Sequence, residues 1–143
     1  MKSFAAVACI ILLCEICSTH AQDATSRSTS AGVFTVDQAK KGATAYNANC
    51  ASCHGAELRS TDREVPNLSD KSFQFSWVGK TIAEKFEIVR DTMPPREEHS
   101  LDDQVYLDIV TYVLQFNKAP AGNQSLTPDL QILKQITIAA PPG

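Results

Sequence analysis

The chain has no internal repeat, no clustered basic stretch, little strand-like alternation and no apolar run long enough to cross a bilayer. The missing repeat excludes a solenoid or propeller. The missing basic cluster argues against nucleic acid as a partner, because thirteen Lys and Arg face sixteen Asp and Glu for a net charge of −3 and phosphate binding needs concentrated positive charge. The longest apolar run, Phe4 to Cys14, is eleven residues, well short of the roughly 20 that span the hydrocarbon core. Otherwise the composition, 43% hydrophobic and 20% charged over 143 residues, is that of one ordinary globular domain.

What the N-terminus does have is a basic start at Lys2, the apolar run, and Ser18-Thr19-His20-Ala21, the three regions of a secretory signal. Residues 1–21 are therefore expected to be a signal peptide cleaved after Ala21, which places the protein in the periplasm with no membrane span. Glu15 weakens the hydrophobic region and blurs the cleavage site more than the export. Neither Cys9 nor Cys17 is preceded by the small-residue apolar stretch of a lipoprotein signal. Cleavage removes Cys9, Cys14 and Cys17, leaving Cys50 and Cys53 as the cysteines and Met93 as the one methionine of the mature chain.

Residues 22–33, Ser/Thr-rich and without apolar periodicity, read as a flexible leader. A domain follows over 34–118. Thr35 and Gln38 form a capping-box pattern ahead of Val36, Ala39, Ala43 and Tyr46, so a first helix runs to about Asn47. Gly42 inside it is unfavourable by propensity unless another helix must come close. Thr81 and Glu84 cap a second helix with Ile82, Phe86 and Val89 on one face, stopped by Pro94-Pro95. Ser100 and Asp103 open a third, with Val105, Ile109, Tyr112, Val113 and Phe116 inward and Asn117 as its stop. The tail, 119–143, holds one short helical turn after Thr127-Pro128-Asp129 that packs on the domain. Three main helices around an irregular middle make a small all-α fold wrapped about something.

Cys50-Ala51-Ser52-Cys53-His54 supplies that something. In C-x-x-C-H the two thiols lie on one face of a helical turn, so both can add to the vinyl groups along one edge of a haem, and the adjacent histidine falls beneath the iron. His54 then ligates through one ring nitrogen and donates from the other to a fixed acceptor. A thioredoxin-like dithiol lacks its βαβ context. A zinc site would have Cys50, Cys53, His54 and His99, at spacings unlike a zinc finger. A disulfide across two residues would close a loop of little value. The motif occurs once, so one covalent haem c is expected. Met93, in Thr92-Met93-Pro94-Pro95, continues the face of Ile82, Phe86 and Val89 and is the expected sixth ligand. His99, in a polar stretch, is the alternative, and the two imply different potential ranges because thioether ligation raises the potential.

These segments together resemble a class I c-type cytochrome over about 34–141: Gly42 and Tyr46 leading into the C-x-x-C-H, then Val65-Pro66-Asn67-Leu68, Trp77-Val78-Gly79-Lys80-Thr81, Thr92-Met93-Pro94-Pro95 and a last helix with Tyr112. The resemblance implies that Pro66 supplies the carbonyl accepting from His54, that Trp77 packs by the haem and helps hold a propionate, and that Gly42 lets the first helix touch the last near Tyr112. More narrowly, residues 77–95 and 120–138 resemble the cytochrome domains associated with bacterial pyrroloquinoline-quinone-dependent alcohol dehydrogenases. That implies single-electron transfer from a quinoprotein dehydrogenase, a separate polypeptide, toward an oxidase or quinone. The competing readings are a haem subunit of a dehydrogenase complex and a peroxidase or sensor with displaceable Met93. Lys40, Lys41, Arg59 and Arg63 flank the motif but are interspersed with Glu57, Asp62 and Glu64, a mixed surface rather than a lysine ring.

Overall fold

A computed structural model describes residues 27–142; the expected signal peptide and its cleavage site lie outside them. Six helices dominate: α1 (Val36–Asn49), α2 (Ala51–His54), α3 (Asp70–Ser76), α4 (Ile82–Thr92), α5 (Asp103–Phe116) and α6 (Leu130–Leu133). The fold is all-α apart from a two-residue parallel pair, β1 (Arg27–Ser28) and β2 (Ile136–Thr137), with Arg27 opposite Ile136.

α1 packs along α5, and the crossing explains Gly42. A Cβ there would collide with the Asp108 carbonyl, so only glycine lets the backbones meet at this depth. The crossing lies one turn before Tyr112, whose ring instead meets Tyr46 at 5.3 Å between centroids. Gly42→Ala is expected to cost about 3 kcal/mol as the helices are forced apart, read as a lowered denaturation midpoint; an unchanged midpoint would contradict this packing.

The caps divide. Thr81 and Glu84 form a complete capping box, and the bonds from Thr81 hold the Glu84 carboxyl below its ordinary range. Thr35 Oγ1 accepts from Gln38 N at 3.1 Å, but the Gln38 side chain does not return to the cap. It donates to Asp108 Oδ1 and Leu126 O, both at 2.9 Å, and accepts from Leu126 N at 2.8 Å. Tying the tail down outweighs closing the box. α5 begins after Asp102, not Ser100, and that cap makes no side-chain bond.

Two expectations need correction. Residues 27–33 are not a flexible leader: β1 pairs with the tail, Thr29 is buried and accepts from Ala139 N at 2.9 Å, and Val33 is in the core. The partner strand lies more than a hundred residues away, so no local period announces it. The middle segment also contains a helix, α3, in which Phe73 and Trp77, the residue after it, stack at 5.6 Å inside the core while Phe75 stands 94% exposed. The tail docks through Leu126, Leu133, Ile136 and Ile138, all buried, and Ile138 exchanges bonds with Gly79 and Lys80. Among the described residues no helix is long and apolar enough to cross a membrane.

Candidate functional site

The attachment motif sits at the break after α1. Cys50 caps α1 through its N–H to Tyr46 O, 2.8 Å, and opens α2, whose single turn bonds Cys53 N and His54 N back to Cys50 O at 3.1 and 3.0 Å. That turn puts both cysteines on one side of the chain. Both are free thiols, Cys53 exposed and Cys50 half-buried. Burial, with the neighbouring Cys53, pushes the Cys50 thiol up to about 11, so at neutral pH it is present as thiol. The disulfide reading has no support here. Nor has the zinc reading, since no three metal-ligating side chains converge among the described residues.

His54 is only 8% exposed, and the loop after it explains its orientation. Gly55, at φ 77°, turns the chain so tightly that a Cβ would strike the Arg59 carbonyl. The Tyr46 hydroxyl donates to Gly55 O at 2.7 Å, and Ser60 Oγ donates to Cys53 O at 2.8 Å. Asn67 Oδ1 accepts from Ser60 N at 2.7 Å, and Leu58 O accepts from Leu68 N at 2.8 Å. This folded-back loop delivers the Pro66 carbonyl to His54 Nδ1, 3.0 Å away. A carbonyl only accepts, so Nδ1 carries a proton, and in the neutral ring the lone pair then belongs to Nε2. Nε2 has no protein partner among the described residues, yet no buried side-chain nitrogen or oxygen there is both sealed and unpaired. The lone pair therefore faces reachable space, the state a metal ligand requires.

Met93 is placed by α4, though not on its face. The helix ends at Thr92, and Met93 is extended (φ −132°, ψ 145°), with its N–H closing α4 on Val89 O at 3.0 Å. The following proline disfavours the helical conformation for Met93, so the expectation that it continues the helical stripe is wrong. Its side chain is half-buried. Tyr106 on α5 pins this loop: its hydroxyl donates to Met93 O at 3.0 Å and accepts from Leu101 N at 3.4 Å. Sequence reasoning missed Tyr106, although it lies three residues before Ile109 on the inward face of α5. His99 points elsewhere, its side chain 61% exposed and its Nε2 3.5 Å from Asp91 Oδ1.

Trp77 is 4% exposed, stacked on Phe73, with Lys85 Nζ 5.4 Å from its ring centroid. Of the residues selected from sequence, the structure brings His54 and Pro66 into direct contact; no hydrogen bond joins Met93 or Trp77 to His54 among the described residues. Two surface clefts, of about 550 and 330 Å³, lie beside α3 and the end of α5 and are lined by none of Cys50, Cys53, His54, Pro66, Trp77 and Met93.

The donor set fits a haem c: two thiols on one turn, a histidine in the Nδ1–H tautomer with Nε2 open, and a thioether on a pinned loop. No curated protein and no solved structure matches the chain. The family model described as cytochrome C oxidase, cbb3-type, subunit III matches residues 37–113, a stretch running from the first turn of α1 through the attachment motif and Met93 into α5. This is more than half of the 143 residues, and the chain belongs to that family of c-type cytochrome domains, haem-based electron carriers.

Proposed function

We propose that this protein carries single electrons on one haem c bonded to Cys50 and Cys53, with His54 and Met93 as axial ligands. The His54 Nδ1 bond to Pro66 O carries the reading, because it leaves the opposite nitrogen available to a metal. Each thiol adds its S–H across one vinyl double bond, so attachment needs no oxidant. The haem supplies a one-electron iron couple. Pro66 O holds the imidazole ring still, which keeps Nε2 basic and lowers the rearrangement needed when the charge changes. The Met93 thioether, as a ligand, would favour the reduced state relative to a second nitrogen. Tyr106 steadies the loop that presents it.

Were His54 and Met93 both to hold the iron, no position would be left open for peroxide, and this ligand set would make a carrier rather than a peroxidase or sensor. Export by the N-terminal signal sets the proposed location as the periplasm, where a quinoprotein dehydrogenase would donate electrons and an oxidase or quinone accept them. The mixed charges around the motif, with Arg59 paired to Asp70 at 2.6 Å, suit brief docking with little electrostatic steering.

The test is the purified protein itself. Its mass is expected to exceed that of the mature polypeptide by one haem, the colour to stay with the protein through acid-acetone extraction, and the spectra of both oxidation states to be those of a low-spin iron. A mass equal to the bare polypeptide would end the proposal.

A further inference from the structure

Met93 lies just beyond the last turn of α4, so its place is set by where that helix sits, and Tyr106 holds only the Met93 end. The other end is held by the tail. Gly79 N donates to Ile138 O at 2.9 Å, Ile138 N donates to Lys80 O at 2.8 Å, and Thr81, the N-cap of α4, bridges Thr137. Three consecutive residues entering the helix are thus tied to two of the tail. α4 has eleven residues and packs on α5, α6 and β2. A helix of that length spans about 16 Å, and in a close-packed interior a strain at one end is passed to the other. No hydrogen bond joins the tail to residues 93–101 among the described residues, so the bonded route from the tail to Met93 is α4.

The tail has one helical turn and little order of its own. Leu126, Leu133, Ile136 and Ile138 are buried, but apolar burial is non-directional and does not say where along the domain the tail must lie. Two polar side chains near the N-terminus do. Thr29, 1% exposed, accepts through Oγ1 from the N–H of Ala139, the residue after Ile138, at 2.9 Å. Gln38, 4% exposed, accepts from Leu126 N at 2.8 Å and donates to Leu126 O at 2.9 Å, so that one amide pairs both backbone groups of one tail residue. Asp108 Oδ1 fixes that amide by accepting its other N–H at 2.9 Å, and Gln104 Nε2 donates to the same two acceptors, Asp108 Oδ1 at 2.7 Å and Leu126 O at 3.2 Å.

We infer that Thr29 and Gln38 are positioning residues for the sixth ligand: they register the tail, the tail fixes the entry of α4, and α4 presents Met93. The inference rests on the proposed His54 and Met93 ligation. It makes the tail part of the redox site rather than a cover on it, since its bonds at 79–81 direct its hold to the one helix that ends in the ligand.

Added imidazole takes the sixth position only in molecules where Met93 has left, so its apparent affinity rises in proportion to that fraction. The measurement is imidazole binding to the ferric holoprotein, with the far-red thioether band and the helical circular dichroism followed on one thermal ramp. Thr29→Val keeps the shape and loses one acceptor, and imidazole affinity is expected to rise about threefold; Gln38→Met loses three bonds, and a rise of about tenfold is expected, by the usual net worth of a buried hydrogen bond. In both, the band is expected to disappear at a lower temperature than the helices melt. Thr29→Ser keeps the acceptor and is expected to restore both readings. Thr29→Val carries the test alone should Gln38→Met fail to fold. Unchanged imidazole affinity, with band and helices lost together, overturns the inference, makes the tail a stabiliser of the whole domain, and leaves the cytochrome standing. Unaltered holoprotein without the thioether band overturns the ligand assignment, and this inference with it.

Discussion

Replacing Cys50 and Cys53 together with alanine is expected to leave no haem on the denatured protein. In the proposed attachment the two thiols act as a unit, since the single turn of α2 closes on Cys50 and would let both reach one edge of a haem. Each single variant is expected to retain haem through one thioether, with a reduced-state absorption shifted by the surviving vinyl group. Only the double variant releases it to acid-acetone. The loss should also cost folding stability, since the half-buried apolar residues Leu68, Val89, Leu101 and Val105 pack against the core and offer a further apolar surface. Haem that survives denaturation in the double variant would place the attachment elsewhere and remove the basis for every other assignment. The measurement is pigment and mass after denaturation.

Much of this site could be read from the sequence because its chemistry is local. C-x-x-C-H is five consecutive residues, and one helical turn is all the structure needed to bring the thiols together. Gly42 was legible for a different reason: a residue so costly inside a helix requires a compensating contact, and the Asp108 backbone is that contact. What escaped is what depends on distant partners. Gln38 resembles half of a capping box, and nothing nearby reveals that its amide is bound to Leu126, eighty-eight residues on. Residues 27–33 resemble a leader because Ser and Thr carry no period, and their order comes from a two-residue pairing with the tail. Lys85 lies in a helix that reads as amphipathic with or without it. Its burial becomes visible only when Trp77, the residue after α3, lies beneath it. Met93 was selected as the one methionine left after signal cleavage and as a continuation of the Ile82, Phe86 and Val89 face, and the proline that stops α4 takes it off that face.

That displacement bears on the choice between Met93 and His99. An extended residue at a helix end can swing its thioether through a wider arc than a residue on the helical stripe, so the ligand must be held from outside the helix. Tyr106 does this by donating to the Met93 carbonyl. His99 belongs to the same loop, but its backbone is left-handed at φ 59° and its ring sits by Asp91 on the surface. Ligation by His99 would give up that contact, and its loop is further held by the bond from His99 N to Arg90 O at 3.3 Å. Met93→Ala is therefore expected to abolish the weak far-red charge-transfer band of thioether ligation in the ferric protein, open a coordination position to added imidazole or peroxide, and lower the potential. His99→Ala is expected to leave all three as they are. Tyr106→Phe should fall between them, keeping the band while weakening its resistance to heat, because the thioether remains and only its anchor is lost. Absorption spectra of the three ferric variants across a thermal ramp decide the matter. A band that survives Met93→Ala but disappears with His99→Ala would reverse the ligand assignment, and would mean that the loop from Pro94 to Ser100 refolds when the haem is attached.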